Sequence, residues 1–353
     1  MTKLFQRSKE IILKNQHSSG AYVASPNFPT YQYSWFRDSA FIAYAMNLVG
    51  EHKSARRFHQ WATDNILARA DTIERAVLKT KQGFQLDNQD YLHTRYALDG
   101  TISDEDWPNF QLDGFGTWLW ALSEHLHLSG QEASPSMIKA VDMLRQYLAS
   151  LWQLPCYDCW EEFPDKIHTH TLAALFAGLK VTIPGAKNNY QETISEIHSF
   201  VLERAVTNHH LVKFIDSDDI DASLLGVSVP YNLISPTDPI MVATVEKIEE
   251  KLNRKGGLHR YTADTYYGGG EWILLTAWLG WYYSSVGNYE KARQSLEWVE
   301  SKAGEDLQLP EQLPSSLNDP SHYQPWVDQW GNIAKPLLWS HAKYIILYKS
   351  LDK

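Results

Sequence analysis

Cysteine is almost absent from this 353-residue chain: Cys156 and Cys159, in one C-x-x-C spacing, are the only two. A structural zinc site normally takes four ligands, and no second C-x-x-C supplies the rest. A thiol redox motif is expected beside a βαβ pattern, and that alternation is missing as well. The pair is read as incidental free thiols, in keeping with a reducing compartment. Also lacking is any apolar run approaching the ~20 residues that cross a bilayer, so no membrane attachment is expected. The opening residues, MTKLFQRSKEIILKNQ, interleave charge with apolar side chains and hold no apolar stretch of a secretory leader. They predict an amphipathic helix and a cytoplasmic protein. Clustered Lys and Arg are missing too. With a net charge of −10, nucleic acid is not an expected partner, because phosphate neutralisation needs a basic cluster.

Aromatic residues are what the chain has in quantity, with 14 Trp and 19 Tyr. Most belong in an aromatic-rich helical core. Flat amphipathic rings also suit a cleft that takes a molecule with an apolar face and polar edges, and a sugar ring is such a molecule.

Helical periodicity dominates. Helices are expected at 3–15, 37–49, 52–68, 113–129, 135–152, 168–182, 187–205, 237–252, 271–287, 288–303 and 336–351, with a short one at 221–227. Gly50, Gly130 and Gly287 are natural C-caps, and Ser134-Pro135 is an N-cap followed by proline at the first helical position. Short links join several neighbours, while 16–36, 69–112, 153–167, 253–270 and 304–335 are long. Loops of that length inside a domain are usually functional. Helical hairpins with elaborated loops at one end point to an all-α fold, and six of them would make an (α/α)6 barrel. Periodicity alone does not close the ring. No linker or low-complexity segment divides the chain.

The long links carry an unusual set of residues. The first has Tyr31, Tyr33, Trp35, Arg37 and Asp38; the second ends in Trp107, Gln111 and Asp113. The third is CYDCWEEF, placing Trp160, Glu161 and Glu162 together. The fourth has Arg260, Asp264, Tyr266, Tyr267 and Trp272, and the fifth puts Glu311 between Pro310 and Gln312. If the helices alternate in direction, all five links meet at one mouth. Glycoside hydrolysis needs two carboxyl groups across the scissile bond. One must keep a proton near neutral pH, and apolar neighbours or a second carboxylate raise a carboxyl pKa. Glu161, between Trp160 and Glu162, has both ingredients in sequence, and Glu311 lies in a different loop, as a partner across a cleft would. Each signal has a plainer reading. Trp-Glu-Glu is often a solvated helix start, Arg37-Asp38 a local ion pair, Asp113 an N-cap, and Tyr-Tyr-Gly-Gly-Gly a turn. His168 and His170 are read as polar residues at a helix start, because a metal would need further ligands.

Taken in order, the motifs resemble glycoside hydrolase family 15, the glucoamylase and glucodextranase group. They are Y-x-Y-x-W-x-R-D-S at 31–39, W-x-x-x-Q-x-D-G at 107–114, W-E-E at 160–162, R-Y-x-x-D-T-Y-Y at 260–267 with Trp272 after it, P-E-Q at 310–312 and W-S-H-A at 339–342. The match runs from about residue 20 to residue 345. The resemblance implies an (α/α)6 barrel and hydrolysis with inversion, Glu161 being the general acid and Glu311 the general base. It implies that Tyr31 holds the attacking water, that Arg37 and Asp38 clamp the terminal glucose, and that Arg260 binds the same sugar or the next. Trp107 would pack near the acid, Tyr266 and Trp272 would line the pocket with Trp35 and Trp160, and Glu162 would bind the leaving-group sugar. No metal or organic cofactor is implied.

Bacterial members commonly carry an N-terminal β-sandwich. This chain has room neither for one nor for a starch-binding module, so a single catalytic domain over 1–353 is expected. Short imported α-glucosides are the expected substrates, isomaltose and isomalto-oligosaccharides ahead of maltosaccharides, with β-glucose released from the non-reducing end. The alternatives are a trehalose hydrolase on the same scaffold and a sugar-binding or regulatory barrel without activity. Phosphorolysis would need a phosphate site near the base, and no extra basic cluster lies by Glu311. The sequence assigns no oligomeric state.

Overall fold

Two kinds of helix are distinguishable by what they bury. The helices α2 (Phe36–Leu48), α5 (Asp113–Ser129), α7 (Thr169–Lys180), α11 (Ile273–Ser285) and α14 (Leu338–Ser350) are buried around most of their circumference. By contrast α1 (Lys3–Lys14), α3 (His52–Leu67), α6 (Pro135–Leu151), α8 (Gln191–Arg204), α10 (Pro239–Leu252) and α12 (Tyr289–Ser301) bury one stripe and turn a polar face to solvent. A helix apolar all round has to be enclosed, and a one-sided helix has to enclose. The computed structural model, which describes residues 2–103 and 105–352, arranges them accordingly.

The inner helices close a ring. Helix α2 packs on α5, α5 on α7, α7 on the four-residue α9 (Leu225–Ser228), α9 on α11, α11 on α14, and α14 back on α2. The outer helices lean on this ring: α3 on α2, α8 on α7, α12 on α11 and α1 on α14. This is the (α/α)6 barrel, and the closure that periodicity could not provide comes from these contacts. Small residues let the inner helices approach. A Cβ on Gly116 of α5 would stand 2.4 Å from the Ala174 carbonyl oxygen of α7, so only glycine fits there. Ser134 caps α6 through its hydroxyl, and Gly130 ends α5 in the left-handed conformation with φ 64°, as the sequence predicts.

Two helices lie inside links expected to be irregular. Helix α4 (Ala70–Lys81) follows α3 almost without a break and buries only Ile73, Ala76 and Val77, too narrow a stripe to stand out. Helix α13 (Tyr323–Trp330) buries none of its residues, so no core periodicity marks it. The expected short helix at 221–227 is a 3₁₀ turn, Ala222–Leu224, running into α9. The long links are tied by two-residue strands. Ser34–Trp35 pairs with Arg95–Tyr96, and Asn253–Arg254, Gly257–Leu258, Glu271–Trp272 and Gln312–Leu313 form a small antiparallel sheet. Among the described residues, no helix is long and apolar enough to cross a membrane.

Candidate active site

One cavity of about 640 Å³ opens where the five long links meet, within the size range of small-molecule sites. Twelve of the residues singled out in the sequence line it, namely Tyr31, Trp35, Arg37, Asp38, Trp107, Trp160, Glu161, Glu162, Arg260, Tyr266, Trp272 and Glu311; Tyr33, Asp264 and Tyr267 do not. Gln111 and Asp113 stand behind this wall. Asp113 begins α5 without capping it; its carboxylate is 3.2 Å from Arg37 Nη1.

Glu161 sits on an unusual turn. Its φ is +69°, a left-handed conformation costing a side-chain-bearing residue about 1 kcal/mol. The turn is held from within, because the Asp158 carboxylate accepts the backbone N–H groups of Trp160 and Glu162, each at 2.9 Å. It is also held from behind. Lys213 lies 2.9 Å from Asp221 and 3.4 Å from Asp158, and Trp160 Nε1 donates to both Asp221 oxygens at 3.0–3.1 Å. Burial would raise the Asp221 carboxyl, but the Lys213 ammonium and the hydrogen bonds from Lys213 and Ser223 outweigh it and hold the group below its ordinary value. Lys213 and Asp221 come from the link after α8, which is not one of the five links that drew attention in the sequence.

The Glu161 carboxylate meets donors on one oxygen. Trp35 Nε1 donates to Oε1 at 2.7 Å and Gln111 Nε2 to the same atom at 3.0 Å. Gln111 is fixed in turn, its own oxygen accepting from Arg37 and Thr94, each at 3.0 Å. Trp35 is placed by its strand partner Arg95, whose guanidinium lies 3.5 Å from the Trp107 ring centroid and 4.1 Å from that of Tyr33. The side chain next in sequence faces elsewhere: Glu162 accepts from Tyr261 at 2.6 Å and pairs with Arg260 at 3.4 Å. The turn thus directs the two neighbouring carboxylates to different partners.

Glu311 is held differently. The small sheet pairs Trp272 with Gln312, and the Glu311 backbone N–H donates to the Ala334 carbonyl at 3.0 Å. Its carboxylate is buried, and Tyr31 donates its hydroxyl to Oε1 at 3.0 Å. That uses the one proton Tyr31 has, so at the 2.8 Å contact between the two hydroxyls Tyr266 is the donor and Tyr31 the acceptor. Burial pushes the Glu311 carboxyl up to about 8, with Tyr31 and Arg260 opposing the rise. Burial likewise lifts Asp38 to about 7 against the pull of Arg37. Arg260, gripped by Asp264 at 2.8 and 2.5 Å, lies among the rings of Trp160, Tyr266 and Trp272.

Other residues line the cavity that sequence reasoning left without a role: Trp339 from the quoted W-S-H-A motif, Glu105 and Asp106, and Trp326 and Trp330 of α13. The only signal for the last two was their spacing, one helical turn apart. The two cysteines are free and buried. His168 and His170 hydrogen-bond backbone carbonyls, and among the described residues no group of three or more His, Cys, Asp or Glu is placed to hold a metal ion.

The pattern of Glycosyl hydrolases family 15 matches residues 3–323. The isomaltose glucohydrolase of Kribbella flavida is 36% identical over 99% of this chain and 92% of its own length. Trehalase 2 of Sulfolobus acidocaldarius is 26% identical over 86% of this chain and 58% of its own. A solved glycosidase structure in complex with glucose superposes with a TM-score of 0.94 at 35% identity, covering 99% of this chain and 96% of that one.

Proposed function

Since the chain belongs to Glycosyl hydrolases family 15 and is a glycoside hydrolase, we propose that it is an inverting, exo-acting α-glucosidase for short α-glucosides, with isomaltose and isomalto-oligosaccharides preferred. The observation that carries this reading is the pair of carboxylates, Glu161 and Glu311, brought into one cavity from separate links and held by unlike partners. Glu161 is the general acid. Both its hydrogen-bond donors go to Oε1, so the proton it delivers to the glycosidic oxygen belongs on Oε2. Glu311 is the general base, taking a proton from water held beside Tyr31. Inverting pairs stand roughly 6.5–9.5 Å apart to admit that water. Arg37 and Asp38 bind hydroxyls of the terminal glucose, Arg260 and Glu162 those of the next sugar, and Trp35, Trp107, Trp160, Tyr266 and Trp272 shape the walls. Two carboxyls and water suffice for this chemistry, which needs neither metal nor organic cofactor. A single catalytic barrel carries it, and buried free thiols suit a cytoplasmic setting.

The choice of isomaltose rests on the 36% identical relative named for it, against trehalase relatives that are more distant. Initial rates on isomaltose, maltose, nigerose, kojibiose and trehalose test it; a higher kcat/KM on trehalose would sink the preference. Proton NMR of the first sugar released tests the stereochemistry, with β-glucose expected and α-glucose fatal to it.

One observation favours the opposite roles: a carboxyl pushed up to about 8, as Glu311 is, suits an acid. α-Glucosyl fluoride decides, because fluoride leaves without a proton. Under our assignment Glu161→Gln keeps most of its activity on the fluoride and Glu311→Gln loses it; the reverse pattern exchanges the roles.

A further inference from the structure

Beyond the residues given roles so far, the cavity is lined by Trp326 and Trp330 of α13 and by Glu105, Asp106 and Pro108 of the second long link. Helix α13 buries none of its residues, yet it presents both Trp326 and Trp330 to the cavity. The two indoles differ. Trp326 is pinned, edge-on to Tyr266 at 5.0 Å and stacked with Tyr267 at 6.1 Å between centroids. Tyr267 adds a hydrogen bond to the Gly331 carbonyl at 2.8 Å, just past the helix end. Trp330 is 38% exposed while lining the cavity. The same cavity is lined by Glu105 and Asp106, Glu105 being tied to Arg95 at 2.5 Å. An exposed indole and a free acceptor lining one cavity suit a pyranose, whose ring face stacks and whose hydroxyls donate.

We propose that Trp330 and Asp106 form an outer sugar subsite, Trp330 stacking on a leaving-group ring of the oligosaccharide and Asp106 accepting from its hydroxyls, with Trp326 pinning α13 in place. This deepens the glycosidase reading and rests on it. Trp330 is then a specificity-determining residue that sets how much a longer oligosaccharide gains over isomaltose.

The test compares a substrate long enough to reach the outer subsite with shorter ones. For Trp330→Ala, kcat/KM on isomaltotriose should fall about tenfold, mostly through KM, while the rates on isomaltose and α-glucosyl fluoride should change less than twofold. Trp330→Phe should recover most of the loss. The unchanged fluoride rate also shows that the variant is folded. Equal losses on both kinds of substrate, or no loss on either, overturn the subsite. A wild-type enzyme inert towards every α-glucoside and the fluoride removes the glycosidase reading itself, an outcome that no comparison of variants produces.

Discussion

The two glutamates of the cavity are held by opposite means. Glu161 sits on a left-handed turn with charge stacked behind it: Asp158 inside the turn, Lys213 and Asp221 beneath, and two N–H donors on its carboxylate. Glu311 has no such scaffold. It is fixed by a short ladder and met by hydroxyls and rings, and burial lifts its carboxyl to about 8. One group is positioned by polar bonding, and the other is removed from water, which favours its neutral state. A pair of chemically identical side chains is thereby made into two different reagents, and each difference can be tested separately.

The largest effect expected is on turnover. Glu161→Gln and Glu311→Gln should each lower kcat on isomaltose by about 10³-fold; either variant within tenfold of wild type would dismiss that residue from the chemistry. The second effect is on stability and concerns Glu311 alone. Its carboxyl titrates near 8 when folded and at an ordinary 4.5 when unfolded, so folding favours the proton. Ionising the group as pH rises through that interval costs stability, about 3 kcal/mol by pH 7. Glu311→Gln escapes this cost. Its melting temperature should exceed wild type by more at pH 7 than at pH 5, and a gap independent of pH would contradict it. The third and smallest concerns Tyr31. Its hydrogen bond lowers the Glu311 pKa against burial, so Tyr31→Phe should cut kcat about tenfold and move the acidic limb of kcat/KM to higher pH. A limb that stays put or moves down would show that Tyr31 does not act through Glu311.

The sequence disclosed these regions unequally. The aromatic and charged motifs of the long links are local, and each of the five links sends residues into one cavity. The supports of Glu161 were hidden because they are not local: Lys213 and Asp221 come from the following inter-helix link, where a lone lysine and aspartate carry no pattern. A neighbour in sequence drew attention instead, yet Glu162 is bound to Arg260 and Tyr261. The fold was legible to the extent that burial is periodic. The enclosed and enclosing helices showed themselves, whereas α4, with its three buried residues, and α13, with none, did not.

That α13 buries nothing bears on how such an enzyme diversifies. Replacing a segment that takes no part in the core costs the barrel little, and insertions on a surface are tolerated where core changes are not. Lineages can therefore rewrite residues 323–330 while the helices beneath stay under strict selection. Across related barrels the variation in this segment should follow the length and branching of the sugars each host consumes, while the two carboxylates stay fixed.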